Sequence, residues 1–178
     1  RIRGANDRIR VGYIGMGKQG RDNMKAFKAA ETIEPAVVCD VYDRNLNWAA
    51  EISKGVKTSH DFREILADKS IDAVCISTPD HWHAYMTVEA CKAGKDVYVE
   101  KPLAMNVEEA QAMTNAAEKA GLVGMTAFTF RYTHALITLR ELLKEGAICT
   151  PFHVAMQVHG GGMINQGDAL TWRDQSAH

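Results

Sequence analysis

No run of apolar residues in this chain approaches the ~18 that a membrane-spanning helix needs, so neither a transmembrane helix nor a membrane partner is expected. An excess of one charge is lacking too. Lys and Arg number 21 against 22 Asp and Glu, a net charge of -1, and such a balance offers no basic surface for a nucleic-acid partner. The four cysteines, Cys39, Cys75, Cys91 and Cys149, stand far apart and form no Cys-x-x-Cys pair. That spacing argues against a disulfide framework or a zinc site and for buried free thiols. What the 178 residues do contain is 46% hydrophobic side chains, enough to bury one good core and begin another.

The hydrophobic pattern alternates strand and helix, which predicts a parallel sheet covered by helices. Strands are predicted at 9–14, 36–41, 73–77, 96–99 and 122–126. A helix over 107–120 has Asn106 as N-cap, Glu109 three residues on as in a capping box, and Gly121 as its stop. Asp80 is the predicted cap of a helix over 82–93 that Gly94 ends. A further helix over 133–145 carries Leu136, Leu139, Leu142 and Leu143 at helical spacing, read as a core-facing stripe. After Pro151 the rhythm changes. Phe152, Val154, Met156 and Val158 alternate with more polar neighbours, the pattern of the first strand of a second domain.

The most informative segment is Gly15-Met16-Gly17-Lys18-Gln19-Gly20, which follows the first strand and opens a helix over 18–29. Gly15 permits a tight turn, Gly17 lets backbone N–H groups approach a pyrophosphate, and Gly20 lets the helix pack close to its strand. The positive end of that helix then faces the phosphates. Asp40, twenty residues beyond Gly20 at the tip of the second strand, is placed to accept from ribose hydroxyls. Together these features predict a dinucleotide site. A competing P-loop reading of Gly12 to Lys18 fails at Gln19, where Ser or Thr must hold Mg²⁺, and Gly12 sits within a strand instead of closing it. The absence of any Tyr-x-x-x-Lys pair excludes a short-chain dehydrogenase.

In open α/β sheets, ligands bind beyond the carboxyl ends of the strands, so chemistry should collect just after each one. Two segments meet that condition: Ser77-Thr78-Pro79-Asp80-His81-Trp82-His83 and Glu100-Lys101-Pro102. Thr78 and Pro79 shape a turn over the cofactor, while Asp80 or His83 points into the cleft or serves as cap and packed first-turn residue. His81 and His83 lack further ligands at a recognisable spacing, so no metal is expected. Lys101, at a strand's carboxyl end with a proline fixing its turn, is suited to hold a substrate hydroxyl or the nicotinamide ribose of the cofactor, or to move a proton during hydride transfer.

These segments, with Cys39-Asp40-Val41, residues 93–103, Phe130-Arg131-Tyr132 and residues 142–148, resemble the glucose-fructose oxidoreductase / inositol dehydrogenase / MocA family over residues 8–151. The resemblance implies a Rossmann-type doubly wound parallel sheet at 1–129, followed at 130–178 by the start of a second α/β domain. It implies NAD as cofactor, with NADP as the alternative, and hydride transfer to or from a carbinol of a sugar, cyclitol or related polyol. Lys101 would be the catalytic lysine, and Glu100 would help place the nicotinamide ribose. Thr78, Pro79 and His83 would line the cofactor cleft beside the turn of Gly15, Met16, Gly17, Lys18, Gln19 and Gly20. Relatives of this kind also include NAD-dependent glycoside hydrolases, and a non-catalytic nucleotide-binding fragment is the remaining reading. Homo-oligomers are implied for the full-length protein through the open sheet of the second domain. The family's Asp-x-x-x-His element has a bare counterpart in Asp174 and His178, but the preceding glycines are missing and the match reads as chance in a chain cut short. Its opening, Gly4-Ala5-Asn6-Asp7-Arg8, resembles the junction after a twin-arginine leader, leaving cytoplasm and periplasm both open.

Asp40 favours NAD by accepting from the ribose and repelling a 2′-phosphate, whereas Lys18 offers that phosphate a countercharge. Asp40→Ser should therefore shift preference toward NADP. Comparison of the two dissociation constants checks this, and an NADP affinity above that for NAD in the unaltered protein would overturn the assignment.

Overall fold

The computed structural model describes residues 8–157. The chain divides into two compact units, with the break between Tyr132 and Thr133. The first unit holds β1 (Ile9–Ile14), α1 (Lys18–Lys28), β2 (Ile33–Cys39), α2 (Asp43–Ile52), β3 (Lys57–Ser59), α3 (Phe62–Ala67), β4 (Ala73–Ile76), α4 (His83–Lys92), β5 (Asp96–Val99), α5 (Val107–Ala120) and β6 (Gly124–Thr126). The strands form one sheet in the order β3-β2-β1-β4-β5-β6, and every pair is parallel. This is the doubly wound Rossmann order, with its crevice where the chain leaves β3 at one edge and re-enters beside β1 as β4.

Both faces of the sheet are covered, and strand residues alternate between them. Val11, Tyr13, Val38 and Cys75 join Met24 of α1 and Leu46 and Ala49 of α2 in one core. Ile14, Val37, Cys39, Val74, Ile76, Val97 and Val99 join Ile65 of α3, Met86 and Ala90 of α4 and Met113 of α5 in the other. A period of two with both sets apolar is what a sheet buried on both sides requires. The glycine at position 12 belongs to this packing, because a Cβ there would collide with the Ile65 side chain.

Several boundaries differ from those predicted. β2 starts at Ile33 instead of 36 and ends at Cys39 instead of 41. Its register against β1 shifts where Pro35 and Ala36 lie, a bulge that accommodates a residue without an N–H. β3 and α3 were not predicted at all. β3 is a three-residue edge strand without an apolar run, and α3 is only six residues long. Asp80 is not the cap of α4: Asp80–Trp82 forms a 3₁₀ turn, and Trp82 precedes the helix without a side-chain capping bond. Cys39, Cys75 and Cys91 are buried free thiols, but Cys149 is exposed.

In the second unit, α6 (His134–Lys144) is followed by Gly146 with φ 73°. Leu139, Leu142 and Leu143 on α6 are exposed, so the leucine stripe is not core among the described residues. Residues 151–157 form no strand, although Phe152, Val154 and Met156 have the predicted alternation. A strand needs a neighbour for its backbone groups, and these residues have none among those described. Val158, Asp174 and His178 lie outside the described residues, as does the opening segment through Asp7.

The cap of α5 is as the sequence predicts, with the Glu109 N–H donating to the Asn106 side chain at 2.8 Å. The return bond lands one residue early: Met105 N–H donates to the Glu109 carboxylate at 3.0 Å. Asn106→Ala should lower unfolding free energy by about 1 kcal/mol in urea titrations, the usual cost of losing such a cap.

Candidate functional site

The loops that close β1, β2, β4 and β5 meet at the carboxyl end of the sheet because each hangs on its neighbour's last carbonyl. Gly15 N–H donates to Cys39 O, Ser77 N–H to Ile14 O, and Glu100 N–H to Ile76 O, at 2.8, 2.8 and 2.9 Å. Gly15 has φ 87°, and a Cβ there would lie 2.8 Å from the Ser77 carbonyl and the Thr78 nitrogen. A Cβ at Gly20 would run into the Gly15 carbonyl oxygen. These two glycines let α1 and the turn close over β4. Gly17 is different. Its added Cβ would meet nothing within 4 Å, and no side chain caps the helix it precedes. The first N–H groups of α1 are thus left without a side-chain cap beside open space at Gly17, an arrangement suited to an anion.

Asp40 ties this turn to the second strand. Its carboxylate accepts from Met16 N–H at 2.7 Å, Tyr42 N–H at 2.9 Å and the Asn45 side-chain amide at 3.0 Å. A carboxylate has about four acceptor positions, so a position remains for a ribose hydroxyl. Met16 itself is buried, and its contribution to the site is this backbone donor. Lys18 is exposed and paired with Asp22 one turn along at 2.8 Å, a bond that competes with any 2′-phosphate. That bond, with the ammonium's charge, also holds the Asp22 carboxyl below the usual carboxylate range.

Glu100 is the most informative member of the second group. It is only 6% exposed. Gln19 and Asn23 of α1 donate their side-chain amides to one carboxylate oxygen at 3.0 and 2.9 Å, and Lys101 N–H donates to the other at 3.1 Å. Asn23 also donates to the Ser77 hydroxyl at 3.1 Å, joining α1 to the end of β4. Burial pushes the Cys75 thiol beneath this network up to about 12, with the Ser77 hydroxyl opposing and the Glu100 charge adding. Such a thiol stays protonated and inert. Lys101 by contrast is exposed, and its ammonium makes no hydrogen bond or ion pair among the described residues.

His83 lies beneath the surface of these loops. Its ring is wholly buried, with Nδ1 2.7 Å from the Pro102 carbonyl and Nε2 3.0 Å from that of Thr78. It clips the loop after β4 to the loop after β5, and a neutral ring donates to one of these carbonyls at a time. Thr78 and Pro79 are half-buried beside the glycine turn, and the Thr78 hydroxyl is buried without a hydrogen-bond partner among the described residues. Asn23 and Asn45 join these hydrogen-bond networks, and the motifs read from sequence include neither. Asn23 did leave a signal: an Asn inside a helix is disfavoured unless its side chain has work elsewhere.

An oxidoreductase-family profile, described by its NAD-binding Rossmann fold, matches residues 9–128. The chain is 32% identical over 156 residues to the Glycosyl hydrolase family 109 protein of Shewanella sp. (strain W3-18-1), a match covering 83% of this chain and 34% of that relative. The chain therefore spans about a third of the length of the curated relatives it matches (34%). Among solved structures, an NAD binding oxidoreductase from Klebsiella pneumoniae superposes with a TM-score of 0.73 at 31% identity, over 80% of this chain and 40% of that one. The WlbA dehydrogenase from Bordetella pertussis, in complex with NADH and UDP-GlcNAcA, gives a TM-score of 0.72 at 25% identity, over 78% of this chain and 42% of that one.

Gly17 and Gly20 should separate on substitution. Gly20→Ala should destabilise the fold by about 1–3 kcal/mol through overpacking, whereas Gly17→Ala should change stability by no more than about 1 kcal/mol. Paired urea titrations check this, and equal losses at both positions would contradict the geometry.

Proposed function

The chain belongs to the glucose-fructose oxidoreductase / inositol dehydrogenase / MocA family of oxidoreductases, and from that premise we propose that it is the nucleotide-binding part of an NAD-dependent enzyme acting on a sugar, cyclitol or related polyol. The reaction is hydride transfer to or from a carbinol of that substrate. The observation that carries the cofactor reading is the 2.7 Å bond from Met16 N–H to Asp40, which fixes a pyrophosphate turn and a ribose-accepting acid in one rigid unit. The residues fit the dinucleotide in three further respects. Gly17 leaves room for close approach, the N-terminus of α1 is uncapped by any side chain, and the Thr78 hydroxyl has a free donor beside the turn.

When bound, the nicotinamide supplies the hydride donor or acceptor. The chain's own residues then bind, orient and move protons. The turn at Gly15 to Gly20 receives the pyrophosphate on backbone N–H groups, and Asp40 accepts from the adenosine ribose. Glu100, held by Gln19 and Asn23, fixes the end of β5 from which Lys101 projects. Lys101 Nζ donates a hydrogen bond to the carbinol oxygen, gives up a proton there as a carbonyl is reduced, and takes one as an alcohol is oxidised. The sugar bound in the WlbA dehydrogenase supports a sugar-type substrate. Residues from 130 onward begin the substrate domain in this reading, and the full-length protein is a homo-oligomer.

The name of the Shewanella relative is compatible with a second reading, an NAD-dependent glycoside hydrolase on the same residues. Steady-state NADH production marks the dehydrogenase, and sugar release without it marks the hydrolase.

Calorimetric titration of the chain with NAD⁺ and NADP⁺ tests the cofactor. In the full-length enzyme, Lys101→Ala should lower kcat about 100-fold while leaving NAD⁺ affinity unchanged. Unaltered turnover would remove Lys101 from the reaction.

A further inference from the structure

Among the described residues, Glu100 is the one acid buried at the carboxyl end of the sheet, at 6% exposure. Its three donors are the Gln19 and Asn23 amides and the Lys101 backbone N–H, all uncharged. The Lys101 ammonium, next in the chain, makes no ion pair with it among the described residues. Amide donors satisfy the oxygens but leave the net negative charge in place, and a buried charge normally carries a counter-ion. Both carboxylate oxygens face donors, so the site demands acceptors at both positions, which an amide in place of the acid cannot supply.

The position of that charge matters. A Rossmann sheet consists of two mononucleotide-binding halves, and the turn after β1 holds the pyrophosphate between them. Glu100 closes β5, in the second half, and Gln19 reaches it directly from the glycine turn. The acid therefore lies on the nicotinamide side of the phosphate turn. An oxidised nicotinamide ring carries a positive charge and the reduced ring carries none, while the rest of the dinucleotide is the same in both.

We infer that Glu100 sets the redox preference of the nucleotide site: as a buried carboxylate without a cationic partner among the described residues, it favours the oxidised, cationic nicotinamide over the reduced, neutral one. This rests on the cofactor reading proposed above. Hydrogen bonds to ribose or phosphate would strengthen both forms equally, so the ratio of the two dissociation constants isolates the charge.

The experiment measures NAD⁺ and NADH dissociation constants on the full chain, by calorimetry and by NADH fluorescence, for the unaltered protein, Glu100→Gln and Gln19→Lys. The first variant removes the charge. The second leaves the acid but brings an ammonium to it from an exposed position on α1, and so remains informative if Glu100→Gln does not fold. The unaltered protein should bind NAD⁺ the more tightly, and that preference should fall at least about fivefold in each folded variant. A preference that is absent in the unaltered protein, or unchanged in the folded variants, would overturn the inference while leaving the cofactor reading intact. Failure of the unaltered protein to bind either form would overturn both.

Discussion

The close approach of α1 to the end of β4 is the constraint on which the site depends. It requires glycine at 20, where any side chain would meet the Gly15 carbonyl, and glycine at 15, where φ is positive and the Ser77 backbone is in contact. Once the helix is that close, Asn23 reaches Ser77 and Glu100, and Gln19 reaches Glu100. One steric fact thereby fixes the relative positions of a phosphate turn and the loops after two neighbouring strands. The hydrogen bonds that follow are individually modest, but they share partners and act in a buried setting where each supports the next.

Asp40 performs the corresponding service on the other side of the turn. Its three internal donors hold the carboxylate in one orientation before any ligand arrives, so little ordering remains for binding to supply. Trp48 adds a more distant brace, lying between Arg21 of α1 and Arg44 of α2 with guanidinium carbons 4.0 and 4.3 Å from the ring centre. The two helices on this face are joined by stacking outside the core as well as by Met24, Leu46 and Ala49 within it.

The central strands, the glycine turn, Asp40 and the α5 cap were legible because each depends on local pattern. Period-two hydrophobicity, glycine spacing and capping chemistry are all written within a few residues of where they act. What was hidden depends on partners far along the chain. β3 exists because β2 offers it an edge, and its three residues carry no signal of their own. The burial of His83 follows from two carbonyls, at Thr78 and Pro102, that only the fold brings together. Likewise the alternation after Pro151 is a real pattern in sequence, but alternation specifies a face and not the neighbour a strand must pair with. The leucines of α6 show the same limit, since helical spacing marks an apolar stripe without naming what covers it.

The crossover that creates the crevice has a consequence during synthesis. β1 emerges first, and β2 pairs with it soon after, but its other neighbour, β4, is not complete until Ile76. A ribosome-bound chain thus carries β1 for some sixty residues with Val11 to Ile14 unpaired along one side, an apolar ribbon at what will become the centre of the sheet. The same strand that anchors the finished molecule is, in the nascent one, the segment most in need of shelter.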